Sequence, residues 1–371
     1  MLDPKTFLAT LKSAGITFTT GVPDSLLKNF CACISDEGSD IIAANEGASV
    51  ALGIGHHLAT GGIPLVYMQN SGFGNTMNPL LSLADKEVYA IPMLLMIGWR
   101  GEPDVKDEPQ HIKQGRVSES LLKSMEIPYV ILSEDQQEAE KQVVVAFDAM
   151  KRDSCPYALL VKKGTFDKYS QNMDDAPSDY LNREHAIEMI LNKLDENDVV
   201  VSTTGKSSRE VFEIREKNGE GHSKDFLTVG GMGHASQIAL GIALSRPDRK
   251  VYCLDGDGAM IMHLGSAAII GTQNVPNYRH IVVNNGCHES VGGQPSVGFE
   301  IDFRKIAEAC GYKVTHLAEN ESQLNDLWAA FAEADGPTML EVRTTKESRD
   351  DLGRPTTTPR QNKEDYMQNL L

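Results

Sequence analysis

A chain of 371 residues is long enough for about two domains of ordinary size. Hydrophobic residues make up 41% and charged residues 23%, the balance of a globular protein with a full core, and no run approaches the ~18 apolar residues of a membrane-spanning helix. A net charge of −17 argues against nucleic acid or an anionic membrane as partner, and any anionic substrate then needs a local basic pocket.

The opening Met-Leu-Asp-Pro-Lys lacks the charged and apolar regions of a signal peptide, so a cytoplasmic protein is expected. The 6 cysteines are expected to be free thiols, since Cys31 and Cys33 have no partner motif for zinc. Ile16-Thr17-Phe18-Thr19-Thr20 reads as a strand that enters the turn Gly21-Val22-Pro23, with Asp24 and Ser25 just beyond it. Ala44-Asn45-Glu46-Gly47-Ala48 opens a helical run, and a glutamate there is ordinarily a partner of the helix dipole. Two more strands, Leu65-Val66-Tyr67-Met68 and Met93-Leu94-Leu95-Met96-Ile97, precede Asn70-Ser71-Gly72 and Gly98. Positions 99–116 read as a long polar connection carrying Arg100, Lys106, His111, Lys113 and Arg116, with Glu102, Asp104, Asp107 and Glu108 balancing the Lys and Arg charges. Tyr157–Val161 is the next strand, and strands alternating with helices indicate a doubly wound, mostly parallel sheet.

The alternation fades between 162 and 183 into Ser170-Gln171-Asn172-Met173-Asp174-Asp175-Ala176-Pro177. That predicts domains at 1–165 and 185–371 with a linker at 166–184. Strands resume at Val199-Val200-Val201, Phe226-Leu227-Thr228-Val229, Val251-Tyr252-Cys253-Leu254, Ile281-Val282-Val283 and Met339-Leu340-Glu341-Val342. Thr203-Thr204-Gly205-Lys206-Ser207 follows the first of these, but a P-loop would need glycine where Val200 stands, so a nucleotide triphosphatase is rejected. Gly230-Gly231-Met232-Gly233-His234-Ala235 follows a strand and opens a helix, a natural anion site.

The densest signal is Gly256-Asp257-Gly258 followed, after 25 intervening residues, by Asn284-Asn285. A helical stretch, 260–270, and a strand lie between, giving a βαβ unit of about 30 residues. It sets an acid and an amide past the carboxyl ends of two parallel strands, where open α/β sheets bind ligands. Asp257 and the side-chain oxygen of Asn285 are hard donors that suit Mg²⁺ or Ca²⁺.

Taken with Gly21-Val22-Pro23-Asp24-Ser25, Asn45-Glu46-Gly47-Ala48, Gln69-Asn70-Ser71-Gly72-Phe73-Gly74-Asn75, Gly231-Met232-Gly233-His234-Ala235 and Gly353-Arg354-Pro355-Thr356-Thr357, this unit resembles the motifs of thiamine diphosphate (ThDP)-dependent 2-oxoacid decarboxylases. The resemblance spans almost the whole chain and implies an α/β protein of two doubly wound, mostly parallel-sheet domains. The first binds the pyrimidine and the second the diphosphate and Mg²⁺, without the third, central domain of larger members. It implies that Glu46 faces N1′ of the aminopyrimidine, so that N4′ takes the C2 proton, and that Met232 holds the cofactor bent. Gly231, Gly233, His234, Gly258 and Ala259 would complete the cofactor site, with Thr204, Gly205 and Lys206 as a second diphosphate contact. Asp257, Asn285 and the backbone oxygen of Cys287 would hold Mg²⁺. On the substrate side, Asp24 is a candidate proton relay and His111 a proton donor, while Ser25, Asn70, Arg100 and Lys106 are candidates to bind an anionic 2-oxoacid beneath a lid formed by 99–116.

Pyruvate decarboxylases carry a glutamate six residues beyond the second motif asparagine, where this chain has Val291, and a His-His pair placed differently from His56-His57. Simple pyruvate is therefore a poor candidate. The resemblance implies instead non-oxidative decarboxylation of 3-phosphonopyruvate to phosphonoacetaldehyde and CO₂ through a carbanion and an enamine, within phosphonate biosynthesis, with sulfopyruvate the alternative substrate. A homodimer or larger assembly with active sites between subunits is implied too. A carboligase and a non-catalytic ThDP-binding subunit rank lower, and a nicotinamide dehydrogenase lacks its GxGxxG motif.

Overall fold

The computed structural model describes residues 1–38, 40–169 and 179–371, and the chain falls into two compact units. The first is Met1–Met173 with Val291–Gln294, and the second is Asp174–Ser290 with Pro295–Leu371. Of the expected linker, 166–184, positions 170–178 lie outside the described residues; Phe166 packs in the first unit's core and Arg183 opens a helix.

In the first unit the strands are β1 (Ile16–Gly21), β2 (Asp40–Ile42), β3 (Ile63–Gln69), β4 (Leu94–Gly98), β5 (Tyr129–Ile131) and β6 (Tyr157–Val161). All neighbours run parallel, in the order β2-β1-β3-β4-β6-β5. Strand β3 is buried along nearly its whole length, as expected of a strand covered on both faces. Alternate residues feed two cores: Leu65, Tyr67, Leu94 and Met96 on one side of the sheet, Val66, Met68, Leu95 and Ile97 on the other.

The second unit holds β7 (Val199–Ser202), β8 (Asp225–Leu227), β9 (Val251–Gly256), β10 (Tyr278–Asn284), β11 (Val314–Ala318) and β12 (Thr338–Arg343). These too pair only in parallel, in the order β11-β12-β10-β9-β7-β8. Chain order reverses direction between β1 and β3 in one sheet and between β7 and β9 in the other, the switch points where such sheets open a crevice. The register pairs Val283 with Gly256, so Asp257 and Asn284-Asn285 leave their strands at one level.

Within the two six-stranded sheets, β2, β5 and β11 escaped the sequence reading. Each is an edge strand with mostly half-buried side chains, so none carries the continuous apolar run of a central strand. The strand expected at 226–229 is displaced to Asp225–Leu227 and is likewise an edge. The helix expected at 260–270 is two helices, Asp257–Met262 and Gly265–Gln273. It breaks where His263 leaves helical geometry (φ −131°, ψ 48°) and packs T-shaped against the His234 ring. The connection expected over 99–116 is shorter, because Pro109, with its fixed φ and no amide to satisfy, starts the helix Pro109–Ser124. No helix among the described residues is long and apolar enough to cross a membrane.

Candidate active site

In the first unit, Glu46 is the first residue of the helix Glu46–Thr60, whose N-cap, Asn45, accepts from Ala48 N. Only 6% exposed, its carboxylate accepts a 2.6 Å hydrogen bond from Asn75 Nδ2. The adjoining Gly72 has no room for a side chain: a Cβ there would lie 2.6–2.8 Å from Glu46 Cγ, Cδ and Oε1. Its φ is −69°, so close approach, not backbone conformation, requires glycine. The acid is thus held at one spot by an amide on one side and an empty position on the other.

Asp24, past β1, is fully buried, and burial raises its pKa although Gln69 Nε2 (2.7 Å) and Leu26 N (2.9 Å) donate to it. Gln69 is therefore a functional candidate that the sequence reading passed over. Arg100 donates to Ser25 Oγ at 2.7 Å and, through Nε (2.8 Å) and Nη2 (2.5 Å), to both oxygens of Asp107. Asp107 also accepts from Gly101 N (2.8 Å) and meets His111 Nδ1 (3.0 Å). Burial raises the Asp107 pKa, but its bonds to Arg100 and His111 prevail and hold it far below the usual carboxylate range. Burial in turn depresses the His111 imidazole despite that acid. The structure thus brings Ser25, Arg100, Asp107 and His111 together and commits the Arg100 fork to a carboxylate of its own chain. Asn70 donates to Arg100 O (2.8 Å) and Ser118 Oγ (3.0 Å) and accepts from Arg100 N (3.2 Å), so its amide ties down the root of the 99–108 connection. Lys106 is exposed and lines a cavity of about 330 Å³ with Glu102, Asp107 and Arg116.

In the second unit, Asp257 begins the helix Asp257–Met262, 3% exposed, and Ser296 Oγ donates to its carboxylate. Burial pushes its pKa up to about 6 against help from that hydroxyl and from backbone amides, including that of Asn285. Its partners are thus neutral donors, and a divalent cation would supply the missing counter-charge. Asn285 Oδ1 accepts from Cys287 N at 3.2 Å while Nδ2 donates to Glu289 at 3.1 Å. Asn284 is locked separately, donating to Gly298 O (2.7 Å) and Glu341 (2.8 Å). Burial lifts the Cys287 thiol to about 12, so the thiol stays protonated at neutral pH.

Gly205, at φ +104°, turns the chain from β7 into the helix Lys206–Lys217. Lys206 Nζ meets Glu289 (2.8 Å) and Ser348 Oγ (2.5 Å), so its ammonium is already partnered within the chain. Met232, Gly258 and Ala259 belong to the same end of the sheet. A Cβ on Gly258 would lie 3.3 Å from Met232 Cε and 2.8 Å from His288 Cε1. Gly231 and Gly233 flank Met232 with positive φ, and His234 closes the turn with Nδ1 3.0 Å from Gly231 O. His288, which no sequence motif singled out, is pressed by burial to a pKa of about 4. A further buried cluster, Cys253, Asp255 and His280, lies across β9 and β10. His280 Nε2 lies 3.5 Å from Asp255, an ion-pair distance without a hydrogen bond, while Nδ1 meets Tyr312 Oη at 3.0 Å.

Residues 5–122 match the N-terminal TPP binding domain of thiamine pyrophosphate enzymes, and residues 203–342 match the C-terminal TPP binding domain. The chain is 33% identical over 377 residues to a phosphonopyruvate decarboxylase of Streptomyces viridochromogenes, covering 97% of this chain and 92% of the relative. A phosphonopyruvate decarboxylase of Streptomyces hygroscopicus is 33% identical with the same coverage of each. A sulfopyruvate decarboxylase of Methanosarcina acetivorans is 26% identical over 344 residues, 86% of either chain.

Proposed function

The chain belongs to the thiamine pyrophosphate enzyme family, and from that premise we propose that it decarboxylates 3-phosphonopyruvate to phosphonoacetaldehyde and CO₂, using ThDP and Mg²⁺. The observation that carries this reading is near full-length similarity to phosphonopyruvate decarboxylases combined with an intact acid at Glu46, braced by Asn75 and an obligatory Gly72. When bound, ThDP supplies the nucleophilic carbon and the electron sink that the loss of CO₂ requires.

The chain's own residues then have separable tasks. Glu46 would hold the pyrimidine ring and exchange a proton with it. Asp257, Asn285 and the Cys287 carbonyl would hold the metal, and Met232 with Gly258 would shape the cavity that receives the cofactor. We assign pyrimidine binding to the first domain, 1–165, and diphosphate binding to the last, 185–371. We assign Asp24 a proton relay, which its burial, the amide of Gln69 and its raised pKa support. We assign His111 as proton donor and Ser25, Asn70, Lys106 and Arg100 to the substrate's anion, with Asp107 fixing the orientation of the Arg100 guanidinium. A homodimer or higher assembly, which the resemblance to ThDP enzymes implies, is part of the proposal.

The test is CO₂ release from phosphonopyruvate by the purified protein with ThDP and Mg²⁺. Activity that disappears in Glu46→Gln while ThDP still binds supports the assignment. Activity retained in Glu46→Gln removes Glu46 from the chemistry, and no release by the native protein with bound ThDP removes the reaction.

A further inference from the structure

One buried charge network adjoins the metal ligands and has no task in the reading above. Glu289, 12% exposed at its side chain, accepts from Lys206 Nζ through Oε1 at 2.8 Å and from Arg183 through Oε2. Arg183 is itself buried and holds Glu210 through two further hydrogen bonds, at 2.8 and 2.6 Å. Two cations and two carboxylates, drawn from Arg183, the helix Lys206–Lys217 and Glu289, balance each other, and all but Lys206 are largely shielded from water. Such networks contribute little net stability compared with apolar packing, and their best-attested use is to fix one arrangement. Here the arrangement includes an amide, because Glu289 Oε2 also accepts from Asn285 Nδ2 at 3.1 Å.

That contact has a chemical consequence. An asparagine amide can present either its oxygen or its NH₂ to a neighbour, and a hard cation accepts only the oxygen. An ionised carboxylate can only accept, so it draws Nδ2 toward itself and turns Oδ1 away, to the side where Cys287 N lies 3.2 Å off. We propose that Glu289 is a positioning residue for the metal site: clamped by Arg183 and Lys206, it selects the Asn285 amide orientation that offers Oδ1 to the cation. This rests on the assignment of Asp257 and Asn285 as metal ligands.

The experiment reads metal binding through the Mg²⁺ dependence of cofactor retention. Retention of ThDP is measured by equilibrium dialysis across a Mg²⁺ titration for the native protein, Glu289→Gln, Asn285→Ala and the double variant. Glutamine keeps the volume but must turn an N–H toward either the cations or Asn285, so the amide orientation is no longer dictated. Loss of a residue that orients a metal ligand weakens metal affinity by about 10- to 100-fold. The Mg²⁺ half-saturation of Glu289→Gln is expected to rise by about that factor, with unchanged ThDP capacity at saturating Mg²⁺. In the Asn285→Ala background the same substitution is expected to add less than about twofold, because the amide it acts through is gone.

Should Glu289→Gln fail to fold, Glu289→Asp serves, since it keeps the charge for Lys206 and Arg183 but is too short to span to Asn285 as well. An unchanged half-saturation, or an equal rise in both backgrounds, would overturn the positioning role. Native protein that retains ThDP without regard to Mg²⁺ would instead overturn the metal-site assignment beneath it.

Discussion

Gly72→Ala isolates the acid from everything else in the fold. The backbone at Gly72 is in the right-handed region that alanine adopts freely, so the substitution introduces no backbone strain. The added methyl, however, would sit 2.6–2.8 Å from the Glu46 side chain, and the carboxylate must swing away from Asn75. The 2.6 Å bond lost is a charge-assisted one, worth about 1.5–3 kcal/mol. If that energy holds the acid where it works, kcat/KM for phosphonopyruvate falls roughly 10- to 100-fold. Gly74→Ala is the control, since nothing lies within 4 Å of its added Cβ, and it should be neutral or slightly stabilising. Both variants are assayed by CO₂ release at saturating ThDP and Mg²⁺, with thermal melts alongside. Full activity in Gly72→Ala would refute the argument that Glu46 acts from its observed position.

Three other outcomes are expected. Burial pushes Asp40 up to about 6 despite the 2.7 Å bond from Tyr67 Oη, so its contribution to stability is full below its unfolded pKa near 4 and lost as pH rises through 6. Asp40→Asn should therefore match the native protein in urea melts near pH 4 and exceed it by about 2–3 kcal/mol at pH 8. Asp107→Asn, which strips the Arg100 fork of its anchor in a largely buried setting, should cost about 2–3 kcal/mol and lower the Tm by roughly 5–10 °C, with KM for the oxoacid rising. Gly258→Ala, whose methyl would strike His288 and Met232, should leave the far-ultraviolet circular dichroism unchanged and weaken ThDP retention by at least about tenfold.

The parts of the site that were legible in the sequence are those built from contiguous residues on strand ends. Gly256-Asp257-Gly258 and Asn284-Asn285 could be paired because one βαβ unit sets both at the same level. Glu46 was legible as a helix entrance. The groups that hold these residues were not, because they come from distant positions: Asn75 reaches Glu46 across 29 residues, Gln69 reaches Asp24 across 45, and Ser296 reaches Asp257 across 39. Charge pattern misleads in the same way. The basic residues of 99–116 suggested a free cationic patch, yet Arg100 is occupied by Asp107 from the same segment. Central strands declared themselves through apolar runs, whereas β2, β5 and β11, half-exposed at sheet edges, had no such signature.

The most direct measurement is kcat/KM for phosphonopyruvate, sulfopyruvate and pyruvate on the same preparation, loaded with ThDP and Mg²⁺. The assignment predicts a preference for phosphonopyruvate of at least about 100-fold over pyruvate, since the polar and cationic contacts assigned to the phosphonate have no partner on pyruvate. Sulfopyruvate is predicted to fall between them. A protein that turns over pyruvate as well as phosphonopyruvate, or sulfopyruvate better than either, would contradict it.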